Sequence, residues 1–334
     1  MGTKKEIDIQ DILKQVRLFM PSKVILLAHQ FNIFDLIEAG HKTLEQITGE
    51  SETSGRGMGR LLDSLCALGM LTKTEDSYEN VDSLKGYLLR DSPDSVRNYL
   101  ELIHKVSFIW SDMDIVIRDG MPIVTMMELI GESEEMLHTF VNAMEERARE
   151  ASQLIPETVD ISKSLNMLDI GSGPGTYSLT WLQQYPKLNA TLLDLKIVLA
   201  IAEKRVQALG LGKRTTLLPG DFREVMIRDS YDLVLIANVL QMYGPEDNMK
   251  LIRKAYDALS KDGLLIFHGY TREEDGAGPL PSVIFSLSIA GVTENGDAYK
   301  KSEMTGWLEE VGFKDIEFKK IKAVPETVMT ALKK

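Results

Sequence analysis

Apolar residues recur at helical spacing through roughly the first 155 residues of the chain, and then give way to short β-rich runs that alternate with helical stretches. A recurrence of about 3.6 residues marks helices with one buried face, whereas short apolar runs bounded by turn residues mark strands. The pattern predicts a helix near residues 7–19, punctuation at Pro21-Ser22, and a second helix over 23–38 closed by Gly40. Thr43 and Gln46 stand in capping-box spacing ahead of a short helix, and a longer helix over 57–68 is closed by Gly69. Met70 to Lys73 and Tyr78 to Val81 flank a polar turn at Asp76-Ser77 and read as a hairpin. Three helices followed by a two-stranded hairpin is the winged-helix layout. Long helices are expected over 96–110, 111–118 and 134–154.

The text changes near residues 155–166. Asn166-Met167-Leu168-Asp169-Ile170 is a short buried-strand signal running into Gly171-Ser172-Gly173-Pro174-Gly175-Thr176, with a helix over 177–184 behind it. Further strands are expected at 190–194, 215–219, 231–236 and 263–267. Strands alternating with helices argue for βαβ units and a mostly parallel sheet. The fold expected is therefore α/β: a C-terminal Rossmann-like sheet with a mainly α N-terminal winged-helix domain. The boundaries drawn are 1–95 for the winged helix, 96–160 for a helical linker roofing a pocket, and 161–334 for the sheet domain.

A glycine motif gains meaning from a strand before it and a helix after it, because its glycines let backbone approach a ligand closely. A dinucleotide fingerprint wants a small residue where Thr176 stands, and backbone donors for a pyrophosphate. Pro174 removes one such donor. Two acids sharpen the reading. Asp194 ends the second strand, 19 residues past Gly175, where a carboxylate accepts from ribose hydroxyls. Asp221-Phe222 follows the third strand and sets an acid beside an aromatic, suited to an adenine.

Composition narrows the partners. The 334 residues carry a formal net charge of −12. Phosphate neutralisation supplies much of nucleic-acid affinity, so an acidic chain is a poor candidate for it. Arg56 and Arg60 lie on the presumptive recognition helix, but Asp63 and a wide apolar stripe share it, and burial of that helix is expected instead. Cys66 is the only cysteine, which fits a reducing cytoplasm and a small buried side chain. No apolar run approaches the ~18 residues a membrane span needs, and no histidine pair has metal-ligand spacing, so no membrane and no metal are expected.

Together these residues resemble class I S-adenosylmethionine-dependent methyltransferases. The whole chain, over about residues 15–333, is similar to the caffeic acid and hydroxyindole O-methyltransferase family. The marks are the stretch from Ala28 to Leu36, Leu61-Leu62-Asp63-Ser64-Leu65, Leu68-Gly69-Met70-Leu71, Tyr87-Leu88-Leu89, and Trp307-Leu308-Glu309-Glu310-Val311-Gly312-Phe313. The resemblance implies S-adenosylmethionine as cofactor, a small organic methyl acceptor, and an intertwined homodimer through the winged helix. The apolar stripe of Val24, Leu27 and Phe31 fits that dimer. The expected cofactor-binding residues are Asp169, Gly171, Gly173 and Asp194 with Leu195, then Asp221, Phe222 and Asn238.

The resemblance fails at the catalytic base. Plant members carry a histidine just after the fourth strand, where this chain has Gln241; the glutamate that orients it aligns with His268. An amide cannot remove a proton near neutral pH. Three readings stay open: a relocated base, for which His268 is the candidate; an acceptor that needs none; or an inactive relative. Methyl transfer is an in-line displacement, and holding the acceptor in line supplies much of the rate. His104, Trp110, Phe140, Met144, Met242 and Phe285 are the expected acceptor-facing residues. They suggest an apolar or aromatic acceptor, with oxygen somewhat favoured over carbon. The competing classes are a NAD(P)-dependent oxidoreductase and a non-enzymatic winged-helix regulator that binds the cofactor.

Overall fold

The computed structural model describes residues 7–228 and 230–334, and they fall into two compact units, one up to Lys105 and one from Val106 onward. The first unit contains α1 (Ile9–Arg17), α2 (Phe19–Gln30), α3 (Ile33–Glu38), α4 (Leu44–Glu50), α5 (Gly55–Ala67), a hairpin of β1 (Leu71–Thr74) with β2 (Ser77–Asn80), and α6 (Asp82–Leu88). Its core is built from Ala28, Ile33, Phe34, Ile37, Ile47, Leu62, Leu65 and Tyr78. The capping box read from sequence forms at Thr43 and Gln46. Cys66 is half-buried against this core.

The single helix expected over 23–38 is two. Asn32 takes a left-handed φ of 52° and ends α2, a conformation asparagine tolerates better than most residues. Its side-chain oxygen accepts from Arg97 at 2.6 Å and from Arg90 at 3.2 Å, which holds the break. Pro21 does not separate α1 from α2. It lies in the first turn of α2, where a missing N–H leaves nothing unpaired. The side of α1 formed by Ile9, Ile12, Leu13 and Val16 is exposed, as are Leu18, Phe19 and Met20 beyond it. His104 is buried in α7 (Arg97–Ser111), one turn from Glu101, whose carboxylate pairs with His29 at 3.1 Å. Burial pushes the His104 pKa down.

The second unit adds α8 (Met113–Asp119), α9 (Met126–Gly131) and α10 (Glu134–Thr158) ahead of a seven-stranded sheet. The strands and helices that follow are β3 (Asn166–Ile170), α11 (Thr176–Gln184), β4 (Asn189–Asp194), α12 (Lys196–Ala208), β5 (Thr215–Pro219), β6 (Tyr231–Ala237), α13 (Pro245–Ala258), β7 (Leu259–Gly269), α14 (Leu280–Ala290), α15 (Lys301–Val311), β8 (Lys314–Lys320) and β9 (Thr327–Leu332). Strand order is β5-β4-β3-β6-β7-β9-β8. The first five in that order run parallel, and β9 pairs antiparallel to both β7 and β8. One sheet face packs Ile170, Val234, Phe267 and Met329 with residues of α13 and α15; the other packs Met167, Leu192, Leu233 and Val328 with residues of α10, α11 and α12. This makes a three-layer α/β unit, as expected from sequence, extended by two antiparallel strands.

The change from helices to strands falls within the expected 155–166: α10 ends at Thr158, a few residues past the expected 154, and β3 starts at Asn166. α10 continues through Pro156. A proline cannot donate to the carbonyl four residues back, here Ser152, and such a loss normally breaks a helix. The indole N–H of Trp181 takes that carbonyl instead, at 2.8 Å. No helix among the described residues is long and apolar enough to cross a membrane.

Candidate active site

The order of strands reverses at β3: the chain adds β4 and β5 on one side and then crosses to β6 on the other. In open parallel sheets such a switch point leaves a crevice at the strands' carboxyl ends, where ligands bind. The glycine turn leaves β3 at that point. Gly171 and Ser172 donate to the carbonyl of Leu193 at 2.8 and 3.2 Å, tying the turn to β4. Gly171 has φ +70°, and a Cβ there would fall 2.4 Å from a Val239 methyl. Gly173 has φ +55° and nothing within 4 Å of where its Cβ would point, so the backbone borders open space.

Three carboxylates at the ends of β3, β4 and β5 differ in state. Asp169 is 1% exposed; Ser178 donates to one oxygen at 2.5 Å and the other has no partner. Burial pushes its pKa up to about 7, against the pull of the Ser178 hydroxyl. Asp194 accepts the N–H of Gly173 and that of Leu195, both at 2.7 Å. Those two bonds fix the carboxylate at the end of β4 and leave each oxygen a further lone pair. Burial raises its pKa as well. Asp221 is clasped by Arg223, whose guanidinium reaches one oxygen at 3.0 Å and the other at 2.6 and 3.0 Å. That fork holds the Asp221 pKa below the usual carboxylate range. Phe222 does not lie open beside it. It is buried in the core, with its ring edge on Tyr243 at 5.1 Å, and Arg223 lies 5.4 Å over the Tyr243 ring.

The next polar groups stand where β6 and β7 end. Asn238 has φ +57°, donates its N–H to the His268 carbonyl at 2.7 Å, and has a buried side-chain oxygen without a partner. Gln241 is 1% exposed, and neither of its amide atoms is hydrogen-bonded. It packs on Gly269, where a Cβ would sit 1.9 Å from the amide nitrogen, so any larger residue there would displace the Gln241 amide. His268 is 1% exposed on the opposite sheet face, with Nδ1 3.0 Å from the Tyr177 hydroxyl and Nε2 unpartnered. Burial pushes its pKa down to about 4. The imidazole is therefore neutral at physiological pH and holds a proton poorly, which removes the ground for expecting His268 to act as a base. Burial also drives the neighbouring Tyr177 hydroxyl far above neutrality.

Of the residues expected to face an acceptor, Trp110, Met242 and Phe285 come together in one apolar cluster, with the Trp110 N–H 3.2 Å from the Ser288 hydroxyl. Phe140 packs instead with Leu195, Val198 and Ile201, beside the end of β4. Met144 is half-buried on α10, one turn from Phe140.

The sequence profile of the O-methyltransferase domain matches residues 104–314, and that of the O-methyltransferase dimerisation domain matches residues 13–87. The chain belongs to the O-methyltransferase family. It is an S-adenosylmethionine-dependent methyltransferase. Its relatives include an L-tyrosine C(3)-methyltransferase of Streptomyces lavendulae, 28% identical over 88% of this chain and 84% of that one. They also include an acetylserotonin O-methyltransferase of Macaca mulatta, 26% identical over 93% and 94%. The solved structure of human N-acetylserotonin methyltransferase in complex with S-adenosylmethionine superposes with a TM-score of 0.87 at 24% identity, covering 100% of this chain and 99% of that one.

Two groups in this candidate site were not named from the sequence, Arg223 and Tyr177. Arg223 was legible in principle, since an arginine two residues after a strand-end aspartate can fold back onto it. Tyr177 was not, because nothing in its spacing announces a partner 91 residues away.

Proposed function

We propose that the carboxyl edge of the sheet in this methyltransferase binds S-adenosylmethionine through the residues named from sequence, and presents a small aromatic acceptor to it. The observation that carries this is Asp169, a buried carboxylate with one unpartnered oxygen on the strand that leads into the glycine turn. An unpaired buried polar atom is costly, and a cationic ligand group relieves it. Asp194 is the group for the ribose hydroxyls, held in place by Gly173 and Leu195. Asp221 reaches an adenine by sharing its carboxylate with Arg223, with Phe222 and Tyr243 behind it. Asn238 offers its unpartnered oxygen between these and the acceptor. When bound, the cofactor supplies a methyl group on a sulfonium, already activated for displacement.

Gln241 and His268 then act as neutral hydrogen-bonding groups. Neither takes a proton readily near pH 7, so the acceptor arrives nucleophilic, as an ionised oxygen or an electron-rich carbon, and positioning supplies the rate. Both kinds of transfer occur among the relatives, as the names of the tyrosine C(3)- and acetylserotonin O-methyltransferases state. We retain residues 1–95 as the dimerising winged helix, 96–160 as the pocket roof and 161–334 as the cofactor domain, in a cytoplasmic enzyme. Calorimetry is expected to show S-adenosylhomocysteine saturating the chain and NADH giving no heat. The reverse pattern overturns the reading.

The dimerisation profile and the exposed apolar side of α1 support a C₂ homodimer. Light scattering at micromolar concentration is expected to return the mass of two chains. A stable monomer there counts against the dimer and leaves the cofactor assignment untouched.

A further inference from the structure

One ion pair in the second unit stands apart. Arg147, on α10 one turn beyond Met144, pairs with Glu326, the residue that precedes β9. Glu326 is 6% exposed, and its second carboxyl oxygen accepts no hydrogen bond among the described residues. The Arg147 guanidinium also lies 5.3 Å from the ring centroid of Tyr270 and 5.9 Å from that of Phe285. Those two rings are stacked, 4.3 Å apart and inclined by 23°. Tyr270 directly follows β7, and Phe285 belongs to the apolar cluster of Trp110 and Met242. Both charges act electrostatically on His268, in opposite senses, so the pair lies near the carboxyl end of β7.

Taking two charges out of water is expensive, and well-packed apolar residues usually serve stability as well or better. β9 does not need the pair to hold it, since it is hydrogen-bonded along both edges, to β7 and to β8. The pair is also electrically balanced. An acceptor bearing only a carboxylate would be drawn to Arg147 and repelled by Glu326, and one bearing only an ammonium would meet the converse. A zwitterion satisfies both members and leaves the site neutral. The stacked rings add a flat apolar wall of the kind an aromatic side chain packs on.

We propose that the methyl acceptor is a free aromatic α-amino acid, with its carboxylate held by Arg147, its ammonium by Glu326 and its ring against Tyr270 and Phe285. This rests on the reading of the site as the seat of methyl transfer. The fork of Arg147 suits a carboxylate, which a lysine point charge does not replace.

The test uses the full chain saturated with S-adenosylhomocysteine. Calorimetric titrations employ L-tyrosine and L-tryptophan, then tyramine and tryptamine, which lack the carboxylate, and 3-(4-hydroxyphenyl)propionate and indole-3-propionate, which lack the amine. At least one amino acid is expected to bind about tenfold or more tightly than both of its truncated analogues. Arg147→Lys and Arg147→Gln are expected to erase that preference and leave S-adenosylhomocysteine affinity unchanged. Comparing analogues on the unaltered chain keeps the test valid if a variant folds poorly. Truncated analogues binding as tightly as the amino acids, or no binding by either amino acid, overturns the proposal. Failure of S-adenosylhomocysteine itself to bind would strike the methyltransferase site instead, and the two failures are therefore distinct.

Discussion

Replacing Asp169 with asparagine is expected to weaken S-adenosylmethionine binding at pH 8 by roughly 10- to 100-fold, since a hydrogen bond to a charged group is worth about 1.5–3 kcal/mol. The variant should also abolish a pH dependence present in the parent. With its pKa raised to about 7 by burial, the Asp169 carboxyl is half protonated near neutrality. A cationic ligand group prefers the carboxylate, so binding below that point must first expel a proton. Affinity should then be flat above about pH 8 and fall by about tenfold for each pH unit below 7. The ligand-free fold responds in the opposite direction. A raised folded pKa means that the native state holds the proton over the window from 3.8 to about 7, so the contribution to stability is fully present at the acid end and is lost as pH rises through 7. Asp169→Asn should therefore melt higher than the parent at pH 8 and bind cofactor worse. Cofactor affinity of the parent that does not change between pH 5.5 and 8 would falsify the account.

Trp181→Ala is expected to cost about 3–5 kcal/mol for the cavity alone, a large part of the roughly 5–15 kcal/mol that keeps a domain folded. Trp181, on α11, is fully buried in the core that it shares with Ala151 and Ile155 of α10. The substitution also strands the Ser152 carbonyl, because Pro156 has no N–H to return to it. That adds about 1–3 kcal/mol for an unpaired buried acceptor. Trp181→Phe separates the two losses, keeping most of the ring volume and removing only the donor. Urea midpoints should rank the parent above Phe and Phe above Ala. Equal midpoints for the parent and Trp181→Phe would show that the proline is tolerated for some other reason.

The glycine turn after β3 and the acid that ends β4 were legible because their information is local. Gly171, Gly173 and Asp194 are read from a strand, a turn and a strand end, and the backbone bonds that unite them span short stretches of chain. The five parallel strands were legible for the same reason, each being a compact apolar run. β8 was not, because Lys314-Asp315-Ile316-Glu317-Phe318-Lys319-Lys320 carries the charges that suit an exposed sheet edge and mask the strand. β9 was passed over although Thr327-Val328-Met329-Thr330-Ala331-Leu332 is rich in strand formers, since its place depends on a partner some 60 residues earlier. The state of His268 was beyond reach for a related reason. Its position at the end of β7 is a matter of sequence, but its neutrality comes from burial beside Tyr177, and burial belongs to the assembled core.

The placement of β9 carries a consequence for biosynthesis. A ribosome delivers this strand after the other six of the sheet, yet it lies inside the sheet rather than at its rim. While the nascent chain lacks it, β7 presents a bare row of backbone donors and acceptors that any other extended segment can occupy. Glu326 emerges immediately ahead of β9, so the charged wall opposite Arg147 and the closure of the sheet are completed by the same late insertion. Vectorial synthesis thus ties the proposed recognition of the acceptor to the arrival of β9: a chain cut short before Glu326 retains its glycine turn and strand-end acids, and lacks both the closing strand and the carboxylate that precedes it.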